Sequence, residues 1–180
     1  GHSGIEIHKG RVNGNVLLGR FFLALKESAS FEIVEMSGGV KDNVIPKNAV
    51  ATFLVNDVNA VKAAVETLNA QLKAEYGVAD PNAELLLTVG EERECTVLSA
   101  CAKEKMLTAL NLMPNGVQAM SQDLPGLVET SLNLGVLQTK EDEIRLHFML
   151  RSNKRTPLIA LEEKLKTFTI YSLIVDIMNS

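Results

Sequence analysis

The feature that most constrains this chain is an ordered alternation of two hydrophobic periods. Steps of three and four residues, the signature of a half-buried helix, give way repeatedly to steps of two, the signature of a strand. Asn15 to Lys26 carries Leu17, Phe21 and Leu25 at four-residue steps, with Leu18 and Phe22 widening the stripe. Phe31 to Met36 is β-branched and aromatic, and Ser37-Gly38-Gly39 breaks it. Asn43-Val44-Ile45-Pro46 is an extended crossing, because the residue before a proline is pushed out of the α region. Ala49 to Val55 alternates as a strand. Asp57 then caps a helix whose Val61, Val65, Leu68, Leu72 and Tyr76 form one face, closed by Gly77.

The second part of the chain continues in the same manner. Glu84 to Val89 is a candidate strand, and Thr96 to Leu112 a helix stopped by Met113-Pro114-Asn115-Gly116. A loop through Pro125-Gly126 leads to two long strands, Leu127–Leu137 and Glu143–Leu150, joined by Lys140-Glu141-Asp142. Thr156-Pro157 reads as a helix start with Thr156 as N-cap. Leu158, Leu161, Leu165 and Phe168 form the buried face of that helix, and Ile170 to Ile177 a last strand. Ile5 and Ile7 mark a short strand or extended lead-in.

Two split βαβ units placed end to end give this order. The expected fold is α+β: two tandem ferredoxin-like halves, about 1–93 and 94–180, sharing a mostly antiparallel sheet with helices on one face. The helices are expected at 15–26, 57–76, 97–112 and 157–167. No residue-level repeat links the halves.

Composition narrows the function classes. The chain has 180 residues, is 46% hydrophobic and carries a net charge of −4, so a real core forms and nucleic acid is an unfavourable partner. The longest apolar stretch, Phe168 to Met178, is interrupted by Ser172 and Asp176 and is too short to span a membrane. Gly1–Gly10 carries His2, Glu6, His8 and Lys9 where a signal peptide would be apolar. Cys95 and Cys101 lack Cys-x-x-Cys spacing, so two free, partly buried thiols in a reducing cytoplasm are expected.

Chemistry-bearing residues are few. His2, Glu6 and His8 share the parity of one strand face but lack a third strong metal ligand, and solvent-facing residues are the plainer reading. Arg145, His147 and Arg151 fall opposite the apolar face of their strand. Glu91, Glu92 and Glu94 read as a solvated turn. There is no Gly-x-Ser-x-Gly elbow, P-loop or His-Glu-x-x-His. On these residues alone, the chain is a globular module without a self-contained active site.

Longer strings add a family resemblance. Gly1-His2-Ser3-Gly4-Ile5-Glu6-Ile7-His8-Lys9-Gly10-Arg11, then Asn13-Gly14-Asn15 and Leu17-Leu18-Gly19-Arg20-Phe21, resemble the opening of the lid domain of cytosolic aminoacyl-histidine (Xaa-His, β-alanyl-histidine) dipeptidases, dinuclear zinc metallopeptidases. Gly38-Gly39 with Asn43-Val44-Ile45-Pro46, Pro114-Asn115-Gly116-Val117, Val128-Glu129-Thr130-Ser131-Leu132-Asn133 and Leu150-Arg151-Ser152 follow in the family's order. The likeness covers about residues 1–155. A Gly-His-Ser start is also what a purification tag leaves, but its unbroken continuation into the family string makes His2 native.

The resemblance implies a lid inserted in a catalytic domain that is absent from this chain, whose His-x-Asp motif does not occur here. It also implies that the family's first lid strand precedes Gly1. The chain then looks like an excised lid, with no cofactor of its own and two zinc ions in the missing domain. It implies His2 as the donor to the oxyanion, Asn43 as a substrate-binding amide and Arg151 as the clamp on a dipeptide's free carboxylate. The expected partners are the dipeptide, the catalytic domain and a second copy in a homodimer, with neither nucleic acid nor membrane. The location implied is cytoplasmic. A non-catalytic ferredoxin-like dimerisation or interaction module is the alternative. The tail 168–180 falls outside the likeness.

Overall fold

The computed structural model describes residues 1–168 and 174–179. In chain order the elements are α1 (Gly14–Leu25), β1 (Phe31–Gly38), β2 (Ala49–Val55), α2 (Val58–Tyr76), α3 (Ala100–Leu112), β3 (Gly116–Met120), β4 (Val128–Thr139), β5 (Ile144–Ser152), α4 (Arg155–Lys166) and β6 (Ile174–Asn179). They form an α+β fold built on one sheet of order β2-β1-β4-β5-β6, with β3 also paired to β4. All pairings are antiparallel except β5 with β6, which are parallel and joined through α4.

The strand parity read from sequence sets which face is buried. On β5, Ile144, Leu146, Phe148 and Leu150 are buried while Arg145, His147, Met149 and Arg151 on the other face are not. Leu132 and Leu134 of β4 pair across to Leu150 and Phe148. The helices bury this same face: Phe22 and Leu25 of α1, Leu68 and Leu72 of α2, Met106 and Leu110 of α3, and Leu161 and Leu165 of α4 join one core. Phe21, Phe22, Phe31 and Phe53 pack ring against ring at centroid distances of 5.0 to 6.4 Å.

Asn13 caps α1 by accepting from the Asn15 and Val16 amides, and Asp57 caps α2 by accepting from those of Asn59 and Ala60. The two parts of the sheet meet narrowly: β1 pairs with β4 at Ser37 with Gln138 and Gly38 with Leu137, and the Thr139 hydroxyl bonds the Met36 backbone beside them. Further along β4, the register shifts at Gly135. There a β-carbon would collide with the backbone of Asp42, so the extended crossing lies directly on the strand. Gly39, with φ of +77°, turns the chain into that crossing.

Several expectations are corrected. Ile5 and Ile7 are not in a strand: Ile7–Lys9 is a single 3-10 turn, because Glu6 ties the loop to itself. Glu84 to Val89 forms no strand and pairs with no described strand. The Asn69 side chain brackets Leu85 instead, donating to its carbonyl and accepting from its amide. Helix α3 begins at Ala100, where Ser99 supplies the cap, later than the expected 97. Helix α4 begins at Arg155 with Lys154 as an N-cap that makes no side-chain bond, so Thr156 lies inside the helix. Gly77 ends α2 without entering the left-handed region. Strand β3 falls where a loop was expected. Cys101 is exposed rather than partly buried. Of the expected strand 170–177, residues 170–173 lie outside the described residues.

Candidate functional site

The residues singled out by sequence gather on the sheet face opposite the helices. The segment before α1 pairs with the crossing before β2: Ser3 donates its amide to the Asn43 carbonyl at 3.0 Å, and Ile45 donates to that of Gly1 at 2.9 Å. His2 and Val44 form the antiparallel bridge between them. This places His2 and Asn43 on neighbouring strands of a two-stranded patch. Arg151 arrives from the far end of β5, opposite Ser131 of β4.

Gly4 is where two of them meet. A β-carbon on Gly4 would stand 3.1 Å from His2 Cε1 and 3.1 Å from Arg151 Cζ. The imidazole and the guanidinium thus approach the same point, and a β-carbon at Gly4 would press on both side-chain ends.

Each of the three side chains keeps hydrogen-bonding capacity unused. The Gly4 amide donates to His2 Nδ1 at 3.0 Å, so the neutral imidazole carries its proton on Nε2. Among the described residues no carboxylate pairs with Arg151, and its buried Nε has no acceptor. The Asn43 carboxamide is half-buried and bonds to no other described group, while its backbone is held on both sides. With Asp42, Val136 and His147 it lines a shallow depression on the same face. A donor N–H, an amide and a guanidinium with which no described carboxylate pairs, all on one face, suit a ligand with a polarised carbonyl and a carboxylate.

Glu6 braces the segment that carries His2. One carboxylate oxygen accepts from the His2 amide at 2.9 Å, and the other from Lys9 and Arg11 at 3.1 and 3.2 Å. The hydrogen bond from Lys9, then that from the His2 backbone, lowers the Glu6 pKa to about 2. Sequence reading had given Glu6 only a solvent-facing role. It had also passed over Asn133, although its motif was noted. An asparagine inside a long strand is disfavoured there, and that was the available signal.

A second cavity lies elsewhere, between α1, α2 and the α3–β3 turn, and none of His2, Asn43 or Arg151 borders it. Among the described residues no three His, Cys, Asp or Glu side chains gather into a metal site. The donors among the described residues do not fit a zinc pair. No described helix is long and apolar enough to cross a membrane.

Comparison with known proteins adds an independent line. Residues 1–80 match a family described as a peptidase dimerisation domain. The chain is 37% identical over 155 residues to the cytosol non-specific dipeptidase of Escherichia coli (strain K12), covering 84% of this chain and 32% of that protein. A crystal structure of an aminoacylhistidine dipeptidase from Vibrio alginolyticus superposes with a TM-score of 0.79 at 28% identity, covering 96% of this chain and 36% of that one. The chain therefore spans about a third of the length of the relatives it matches.

Proposed function

We propose that this chain, which matches a peptidase dimerisation domain over residues 1–80 and is similar to part of two dipeptidases, serves as the substrate-capping lid of a zinc dipeptidase acting on Xaa-His type dipeptides. In this reading residues 1–180 are the lid, in two halves divided near residue 93. In it the zinc ions and the hydrolytic chemistry belong to a catalytic domain beyond this chain.

The observation that carries the proposal is the junction at Gly4, where the His2 imidazole approaches the Arg151 guanidinium, with which no described carboxylate pairs, and the Asn43 backbone is bonded to the adjoining Ser3. His2 presents Nε2–H as the donor to the oxyanion that forms at the scissile carbonyl. Its Nδ1 is already engaged by Gly4, which orients the ring before substrate arrives. Asn43 offers a donor and an acceptor to the dipeptide backbone. Arg151 pairs with the free C-terminal carboxylate through its two-pronged guanidinium, which favours dipeptides over longer chains. Closure of the lid over the substrate excludes water from these contacts.

Kinetics of the complete enzyme test the three roles separately. His2→Ala lowers kcat by roughly two to three orders of magnitude with little change in KM, the loss typical of an oxyanion donor. Arg151→Ala raises KM for dipeptides more than for their C-terminal amides, and Asn43→Ala falls between the two. The 180-residue chain alone hydrolyses no dipeptide. A kcat for His2→Ala within about threefold of wild type removes His2 from this role.

A second reading, a dimerisation module through which two copies associate, is favoured by the outer edge of β2, which pairs with no described strand. The two readings are compatible in one protein.

A further inference from the structure

Asn133 lies on the outer face of β4, the face that carries the candidate site, yet it is only 1% exposed. The cover is the crossing segment that holds Asn43. Asn133 Nδ2 donates to the Asp42 carbonyl at 2.8 Å and to the Val44 carbonyl at 2.8 Å, the two peptide groups that flank Asn43. Both amide protons are thereby committed. Its Oδ1 in turn lies 3.3 Å from Asn13 Nδ2, the side chain that caps α1. Two residues away on the same strand, Gly135 leaves room for the crossing to lie flat.

We propose that Asn133 is a positioning residue for the substrate-binding amide of Asn43. It fixes the peptide groups on either side of Asn43 against the strand that also registers Arg151, opposite Ser131. The proposal rests on the lid reading, and it deepens that reading by naming what holds one of its contacts in place. Both protons of a carboxamide are needed to satisfy two carbonyls. A carboxylate of the same shape would instead set negative oxygen against each of them. The bonds from Ser3 to Asn43 and from Ile45 to Gly1 continue the brace to His2. Loosening the crossing therefore loosens the whole patch.

Two measurements test this. In the 180-residue chain, Asn133→Asp speeds hydrogen exchange at the Ser3 and Ile45 amides by about tenfold or more, while the milder Asn133→Ser, which keeps one donor, gives an intermediate increase. Unchanged exchange at both amides in a folded Asn133→Ser chain overturns the proposal, so a failure of Asn133→Asp to fold does not shelter it. In the complete enzyme, Asn133→Ser lowers kcat/KM by about tenfold, and that loss shrinks in an Asn43→Ala background, where only the part carried to His2 through the Ser3 and Ile45 bonds remains. Equal losses in both backgrounds overturn the positioning role and leave the Asn43 contact standing. Wild-type kinetics in Asn43→Ala instead overturn the substrate contact, while the exchange result still reports whether Asn133 holds the crossing.

Discussion

Glu6 uses both of its carboxylate oxygens to hold the loop that presents His2. Its pKa is lowered to about 2 in the fold from an ordinary 4.5. A group whose folded pKa is depressed stabilises the fold fully above its unfolded pKa and loses that contribution as pH falls through the folded one. The brace on His2 is thus intact near neutrality and weakens between about pH 4.5 and pH 2. Proton exchange at the His2 amide, followed across that window, rises as Glu6 is protonated. Glu6→Gln flattens the dependence, and an unaltered acid transition in that variant counts against the brace. This residue shows where sequence reading stops. Its charge and its place four positions after His2 were plain, but a strand-like spacing hid the turn that brings its carboxylate back onto the chain. Arg151, by contrast, was legible, because alternation along β5 alone puts it on the face away from the core.

At the scale of elements, the helix α1 is joined to the site through its first turn. The Asn13 side chain caps the helix through Oδ1, while its Nδ2 donates to the buried Leu134 carbonyl at 3.0 Å and lies close to Asn133 and Asn115. Asn15 adds a second donor to Leu134 and one to Gly38. Asn13→Ala removes a cap and strips a partner from a buried carbonyl, and is expected to destabilise the fold by about 2–4 kcal/mol in urea titration. Asn13→Asp keeps the cap and loses only the donor, so it separates the two effects. A cost below about 0.5 kcal/mol for Asn13→Ala would show that the network is dispensable. The four helices were readable because each carries a long apolar stripe, and the caps on α1 and α2 sit where the pattern begins. The misread elements are short or end without a cap. Strand β3 is only Gly-Val-Gln-Ala-Met, with one β-branched residue to announce it, and its pairing with β4 is a long-range contact that local pattern does not encode. Glu84 to Val89 has the composition of a strand, yet it forms none and pairs with no described strand.

For the molecule as a whole, β2 ends the sheet on one side. Val50, on that strand, is 62% exposed. An unpaired edge bearing an exposed valine invites a second strand. Sedimentation of the 180-residue chain at rising concentration is expected to show self-association, and Val50→Lys to shift it toward monomer without lowering the melting temperature. A wild-type chain that stays monomeric throughout, or a Val50→Lys chain that associates as before, places the contact elsewhere. The overall architecture was legible because binary patterning separates a buried sheet face from an open one. The convergence of His2, Asn43 and Arg151 on that open face was not legible from patterning. It depends on a bridge between residues 2 and 44 and on the far end of β5, which periodicity has no means to express.

Gly135 shows how an ordinary survey of this face would mislead. Truncating side chains to alanine asks what each group contributes by being present, so it finds histidines, amides and guanidinium groups. At Gly135 the question is reversed, since alanine is the larger residue and its one added carbon would enter the space held by Asp42. The geometry that lets Asn43 and Arg151 share a surface is written partly in an empty volume. Only a scan that adds atoms would detect it.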